Sequence, residues 1–212
     1  MGQVADPATM PDRASAQLVA RRYTERMDVA EHQTAKVALR NELEAARAAF
    51  HALLDSLTDE DLRRPSNNPG WTNGEVLFHM TLAFILVPIL VPMLGFWGRL
   101  PRRYSKRFAG ILNASTGLFN IVNGLGPRIG GRIFSRERLR KQFDRTHDAI
   151  MRRVDSASEA AWGQGMHYPT RWEPLFQDYM TLEDVLRYPT IHLAFHMDHV
   201  SRSGGASAIL AT

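Results

Sequence analysis

The sequence predicts an all-α fold, a four-helix bundle with an inserted helical segment. Apolar residues recur at intervals of three and four in several long segments, helix-start signals precede these segments, and no convincing strand pattern is present. With 212 residues, of which 44% are hydrophobic and 23% charged, the chain is long enough for one well-buried domain. We expect a flexible N-terminal tail at residues 1–22 and a single helical domain at 23–212.

The first two predicted helices are separated by a loop rich in proline, asparagine and glycine at residues 65–70. The first covers about residues 35–57, where its apolar residues share one face. The second begins at Thr72, which forms a capping-box pattern with Glu75. It continues into the uncharged stretch 81–97, whose length approaches that of a membrane span. Because this stretch contains two prolines, we expect it to be buried within the bundle.

The remaining segments predict an insertion, two further helices and a covering loop. Residues 101–131 should hold one inserted helix, which the glycines at 124–131 then break into a flexible turn. Ser135 can cap the next helix, and Thr181 with Asp184 can begin the last one, which we expect to reach about Arg202. The aromatic stretch 162–179 between them is expected to form a lid or pocket wall over a small ligand.

Composition limits the classes of function. The chain has no cysteine, which excludes disulfides, thiolate metal sites and a cysteine nucleophile. No secretory signal pattern is present at the N-terminus, so we expect a cytoplasmic protein. Its net charge of +4 is modest, and no nucleic-acid-binding motif accompanies the basic residues. We therefore expect no nucleic acid partner, whereas a peripheral membrane contact through 81–107 and a homodimer stay open.

Histidines at helical spacing predict a metal site. His192 and His196 are four residues apart in the last predicted helix, so both imidazoles can face one divalent ion. His79 lies two turns inside the second helix, where its side chain can face the bundle interior. These three histidines are the predicted metal ligands. Three protein ligands leave a coordination position open, which is typical of a catalytic site.

Further side chains near this pattern are candidates for catalytic roles. Tyr188 and His199 follow the same helical stripe as His192 and His196, so Tyr188 could hydrogen-bond a substrate and His199 could be a ligand or transfer a proton. Arg171, in the predicted lid, could hold a substrate carboxylate. His147 is a fallback metal ligand, although a core position is also compatible with its spacing.

At these residues the sequence resembles the DinB-like superfamily, in its YfiT-like branch. The resemblance rests on Gly70-Trp71-Thr72 followed by His79, and on His192 and His196 followed by His199 and Val200. It covers about residues 35–205. It implies a four-helix bundle with metal ligands at His79, His192 and His196, the same residues that the spacing selects. The chain departs from small family members at 81–97 and 101–131.

The resemblance also implies a chemistry. Members are linked to metal-dependent transfer or isomerisation with low-molecular-weight thiols, so we expect zinc or nickel, an external thiol cosubstrate and a small-molecule substrate. A divalent cation favours the anionic form of a thiol, which could then attack an electrophile beneath the lid. Water in the same position would make the protein a hydrolase. The rival hypothesis is a noncatalytic bundle that binds an apolar ligand or a membrane surface through residues 81–97.

Overall fold

The computed structural model of this chain describes the backbone of residues 13–201, and the side chains of this part apart from 13–28, 118 and 122. Within it, two short strands and a 3₁₀ turn accompany eight α-helices. The helices are α1 (Arg13–Asp55), α2 (Asp59–Arg63), α3 (Asn73–Trp97), α4 (Arg102–Ala114), α5 (Thr116–Ile133), α6 (Arg136–Ser156), α7 (Glu159–Trp162) and α8 (Leu182–His196). The strands are β1 (Gly165–His167) and β2 (Tyr179–Thr181), and the 3₁₀ turn is Met197–His199.

The all-α bundle that the sequence predicts is confirmed. Helices α1, α3, α6 and α8 form the bundle, and α3 packs against both α6 and α8. Phenylalanines from three helices meet at the centre: the ring of Phe143 stacks on Phe50 at a centroid distance of 4.1 Å and lies 4.4 Å from Phe84. All three side chains are fully buried. Full burial of one large apolar side chain stabilises a fold by about 1.5–3 kcal/mol.

The predicted helix starts are also confirmed. Thr72 accepts a hydrogen bond from the backbone of Glu75, whose carboxylate accepts one from the Thr72 backbone at 2.9 Å. Thr181 and Asp184 form the same reciprocal pair at the start of α8. Ser135 caps α6 by accepting from the backbone of Arg138. Each cap satisfies backbone donors that the first helical turn leaves unpaired, so the caps fix where these helices begin.

The prediction that glycines break the inserted segment is wrong, because α5 continues through them to Ile133. The insertion therefore consists of two helices, α4 and α5. Close packing explains the difference. A Cβ atom at Gly131 would lie 2.6 Å from the backbone nitrogen of Glu75 on α3, and one at Gly130 would overlap the ring of Phe78. Glycine here allows two helices to approach closely, and this contact outweighs its low helix propensity.

Exchange of single glycines in α5 tests this explanation. Gly131→Ala should destabilise the protein by about 1–3 kcal/mol, because the new methyl group meets backbone atoms that cannot move aside. Gly126→Ala, in the same helix, meets nothing within 4 Å and should stabilise it by about 0.5–1 kcal/mol. Urea unfolding of both variants measures the difference. Equal midpoints would contradict the role of close packing.

Helix α3 is, among the described residues, the one helix long and apolar enough to cross a membrane by length and composition. Half of its most apolar window is buried inside the protein. Its buried side chains include Leu77, Phe84 and Val91, which belong to the core of the bundle. The packing of α3 against α5, α6 and α8 accords with the expectation of an internal helix.

The structure differs from the sequence predictions in three further places. Helix α1 begins at Arg13, well before the start near residue 35 that the sequence predicts; residues 1–12 lie outside the described part of the chain, and the flexible tail at 1–22 stays a prediction. Strand β1 lies within the predicted loop 162–179 and pairs antiparallel with β2, which begins at the end of that loop; both strands are too short to show a strand pattern in the sequence. Helix α8 ends at His196 rather than near Arg202, which itself is not described.

Candidate metal centre

Helices α3 and α8 bring the three predicted metal ligands together. The imidazole centroid of His79 lies 4.8 Å from that of His192 and 4.7 Å from that of His196, and the last two are 4.6 Å apart. One nitrogen of each ring lies within 4.8 Å of those of the other two. Zinc binds imidazole nitrogens at about 2.0–2.1 Å from the ion, so the three side chains lie close enough together to be candidate ligands of one ion.

Burial keeps these histidines neutral. Together with a smaller effect of the charge of His199, it lowers the pKa of His79 to about 4. The pKa of His196 is also lowered to about 4, by burial and then by the neighbouring His79 and His199. Burial lowers the pKa of His192 well below its ordinary value, with contributions from His79 and His196. Neutral imidazole is the form that binds metal ions, so the site needs to lose no proton near pH 7.

Unpaired nitrogens show that the residues fit a metal ion. The Nδ1 atoms of His79 and His192 are buried, and neither has a hydrogen-bond partner within the described part of the chain. A buried polar atom left unpaired costs about 1–3 kcal/mol. A bound divalent ion would remove this cost for each histidine whose unpaired nitrogen faces the ion. The edge of the Trp71 ring packs against His79 at a centroid distance of 5.1 Å and helps to hold it in place.

His199 lies beside the three histidines. The sequence places it on one stripe with Tyr188, but the helix ends at His196 and the following 3₁₀ turn carries His199. Its Nδ1 atom is 2.9 Å from Nδ1 of His196. One of the two nitrogens must carry a proton to form this hydrogen bond. If His196 donates, its Nε2 atom is the nitrogen left free for a metal ion.

Glu173, which the sequence analysis missed, completes the polar surroundings. Its Oε2 atom accepts a hydrogen bond of 3.3 Å from the hydroxyl group of Tyr188 and lies 3.8 Å from Nε2 of His192. Its Oε1 atom accepts a bond of 3.1 Å from the backbone N–H of Leu175. Burial raises the pKa of Glu173, although both hydrogen bonds oppose the shift. The sequence signal that could have found it is an acidic residue next to Trp172 in the predicted lid.

A small cavity adjoins this cluster. Its volume is about 20 Å³, room for about one water molecule. His79, His192, Glu173 and Tyr188 line its polar side. The remaining walls come from helices α3 and α5: Leu82, Ala83, Leu86, Phe119 and Asn123.

The predicted lid is attached to the inserted helices. The ring of Trp172 stacks on Phe119 of α5 at 4.6 Å, and its Nε1–H donates a hydrogen bond of 2.6 Å to the carbonyl of Leu112 in α4. The backbone N–H of Arg171 donates to the side chain of Asn113 at 3.0 Å. The side chain of Arg171 is exposed and does not line the cavity, so its role in binding substrate stays a prediction.

The lowered histidine pKa values predict that the metal-free protein loses stability in mild acid. Unfolded, His79 and His196 take up protons near pH 6.5, whereas in the folded protein they do so near pH 4. The unfolded state therefore binds more protons between these values, and the free energy of unfolding falls as the pH drops through this window. Urea midpoints of metal-free protein should decrease from about pH 7 to pH 5. The urea midpoint of a His79→Gln, His196→Gln variant should decrease less over the same pH range. An equal decrease would show that these two histidines do not cause the loss of stability.

Comparison with known proteins points to one family. The family model of the DinB superfamily matches residues 42–200. Among solved structures, the chain is similar to YfiT from Bacillus subtilis, described as a probable metal-dependent hydrolase with an unusual four-helix bundle topology. The TM-score is 0.51 at 14% identity, over 92% of this chain and 89% of YfiT, so the likeness concerns the fold. No curated protein matches the chain.

Proposed function

This chain belongs to the DinB superfamily, and we propose from its three buried histidines that it is an enzyme dependent on a divalent metal ion. Membership confirms the resemblance seen in the sequence. The observation that carries the proposal is the close grouping of His79, His192 and His196, all neutral, between α3 and α8. Imidazole nitrogens suit zinc and nickel, the metals we propose.

The protein side chains would divide the remaining work. When bound, a divalent ion stabilises the anionic form of a thiol or water molecule beside it. Glu173 faces the same cavity and would accept the proton that this molecule loses. The hydroxyl group of Tyr188 donates a hydrogen bond to Glu173 and keeps its carboxylate directed toward His192. The apolar walls formed by α3 and α5 would limit the access of bulk water.

The first candidate reaction is transfer or isomerisation with an external low-molecular-weight thiol. Because the chain has no cysteine, the thiol must come from outside. The leucines and Phe119 along the cavity would contact the carbon atoms next to a thiol sulfur. Arg171, exposed on the lid, could hold a carboxylate of the entering substrate. Access for a thiol requires the lid or α5 to move, since the cavity is small.

The second candidate is hydrolysis, which a specific observation favours. A volume of about 20 Å³ accommodates one water molecule without rearrangement. The description of YfiT as a probable metal-dependent hydrolase is compatible with this alternative. Glu173 would have the same role in both reactions, so the two candidates differ in the nucleophile and not in the residues.

One set of assays distinguishes the candidates. Protein loaded with zinc or nickel is incubated with 1-chloro-2,4-dinitrobenzene and several low-molecular-weight thiols, and separately with a p-nitrophenyl ester without thiol. A thiol-dependent rate above that of the metal-free protein supports transfer, and ester cleavage without thiol supports hydrolysis. With cobalt in the site, a thiol that binds the metal should also produce a sulfur-to-metal charge-transfer band. A metal-loaded protein that shows neither rate nor band favours the noncatalytic rival.

We further propose that the protein acts in the cytoplasm on a small-molecule substrate. The sequence has no nucleic-acid-binding motif, which favours a small molecule over a nucleic acid. The fold is similar to that of YfiT, a helical bundle. Whether it forms a homodimer is tested by its mass in solution. The peripheral membrane contact predicted for 81–107 also stays a proposal.

A further inference from the structure

The inserted region has an unusual charge distribution. The chain has 22 acidic residues, yet none lies between Glu75 and Glu137. The same stretch contains eight basic residues: Arg99, Arg102, Arg103, Lys106, Arg107, Arg128, Arg132 and Arg136. Except for Arg136, their side chains are exposed, and within the described residues these seven form no ion pair with a carboxylate. The insertion therefore presents positive charge without the acidic neighbours that normally balance it.

Helix α5 adds an apolar stripe to this surface. Ile121, Leu125, Ile129 and Ile133 are spaced four residues apart, so they lie along one face of the helix. Their exposed fractions are 58%, 48%, 55% and 58%. Single exposed apolar residues are common on protein surfaces, but four in a continuous row form a patch that needs a partner.

The two faces of α5 have different roles. Phe119 and Asn123 line the metal-site cavity and Gly130 packs on Phe78, so these residues mark the inward face. By the helical period of 3.6 residues, the stripe points away from them. Arg132 falls within the sector that the stripe occupies, and Arg128 lies at its edge. The outward face of α5 thus combines large apolar side chains with arginine, the composition of helices that lie in a membrane interface.

We propose that the outward face of α5 docks the protein on an anionic membrane surface. Apolar side chains would enter the boundary between headgroups and acyl chains, while the arginines contact lipid phosphates. Charge favours this partner over a second copy of the chain, because a symmetric contact would bring two basic surfaces together. It is favoured over nucleic acid because bare phosphate backbones offer nothing to cover four aliphatic side chains. Docking would leave the opposite face of α5 over the metal site.

Vesicle sedimentation tests this proposal with the full-length protein, prepared without detergent. Vesicles of pure phosphatidylcholine are compared with vesicles that also contain phosphatidylglycerol. We expect sedimentation with the anionic vesicles only, weakened by salt. Leu125→Ser with Ile129→Ser should lower the partition coefficient by about 30-fold or more. Arg128→Gln with Arg132→Gln should lower it by about 25-fold, since each basic residue near the surface contributes about fivefold.

Matched variants elsewhere control for general effects. Val37→Ser removes an exposed apolar side chain from α1, and Arg138→Gln with Arg152→Gln removes two exposed charges from α6. Both should sediment like the parent protein. Absence of binding to anionic vesicles, or equal losses in the control variants, would overturn the proposal. The proposal would also be overturned if the protein did not bind vesicles but formed a dimer that Leu125→Ser with Ile129→Ser dissociates. Binding to DNA without binding to vesicles would overturn it as well. Circular dichroism of each variant verifies that it is folded.

Discussion

Replacement of His192 by alanine is expected to abolish metal binding. The parent protein should contain about one divalent ion per chain, and the variant should contain essentially none after dialysis. Removal of a side chain that only hydrogen-bonds a metal ligand lowers the affinity for the metal by about 10–100-fold. Removal of a ligand itself should lower this affinity further. Elemental analysis measures the content. Removal of the metal ion by a chelator should lower the melting temperature of the parent, because the ion binds only the folded state. The melting temperature of the variant should not change.

Two other histidines provide matched controls. His51, on α1, is half-buried next to Asp144, and His51→Ala should keep the metal. His147 is the fallback ligand of the sequence analysis, but the structure places it in the core, 6.4 Å from the ring centroid of Phe143 and outside the cluster. His147→Leu should also keep the metal and should not destabilise the fold, because neither ring nitrogen has a hydrogen-bond partner within the described residues. Metal retained by His192→Ala, or lost from His147→Leu, would contradict the ligand assignment.

Features encoded locally could be predicted from the sequence. The capping boxes at Thr72 and Thr181 depend on residues three apart, so the starts of α3 and α8 follow from short patterns. The spacing of His192 and His196 has the same local character. Once both helix starts are fixed, His79 falls on the inner side of α3, and the family pattern pairs it with the two histidines of α8. The predicted trio therefore coincides with the cluster that the structure forms.

Features that depend on tertiary contacts could not be predicted in this way. The glycines of α5 follow the sequence rule for a turn, and only the approach of α3 to within contact distance shows why they are helical. Glu173 lies outside any periodic segment, so no spacing relates it to His192, 19 positions later in the sequence. The end of α8 at His196 moves His199 out of the predicted stripe and beside His196. Each difference arises from a neighbour that is distant in sequence or from a local helix end.

The inserted helices connect the two parts of the proposed function. Helix α5 supplies Phe119 and Asn123 to the cavity, and α4 accepts the hydrogen bond of Trp172 in the lid. Entry of any molecule larger than water therefore requires movement of α5, of the lid or of both. Because the stripe of α5 faces outward, the element that covers the site is also the one proposed to contact a membrane. Substrate access and membrane docking would then involve the same helix.

Replacement of Glu173 by glutamine is expected to reduce the turnover rate by about 10²–10⁴-fold while the metal stays bound. Glutamine has nearly the same size, and its single carbonyl oxygen can still accept the hydrogen bond from Leu175 while its NH2 group donates to the oxygen of Tyr188, but it cannot take up a proton. The loss should appear in kcat rather than in KM, because Glu173 is proposed to act on the proton of the nucleophile. Steady-state rates with the active nucleophile, together with elemental analysis, measure both effects.

Three further variants show whether the proton goes to Glu173. Asp178→Asn removes an exposed carboxylate from the same loop and should leave the rate unchanged. Tyr188→Phe removes one hydrogen bond to Glu173, so it should cost about tenfold at most. If Glu173→Gln turns over like the parent with its metal bound, the carboxylate only anchors the lid. His199, hydrogen-bonded to His196, would then be the better proton acceptor, and His199→Asn should in that case carry the large loss of rate.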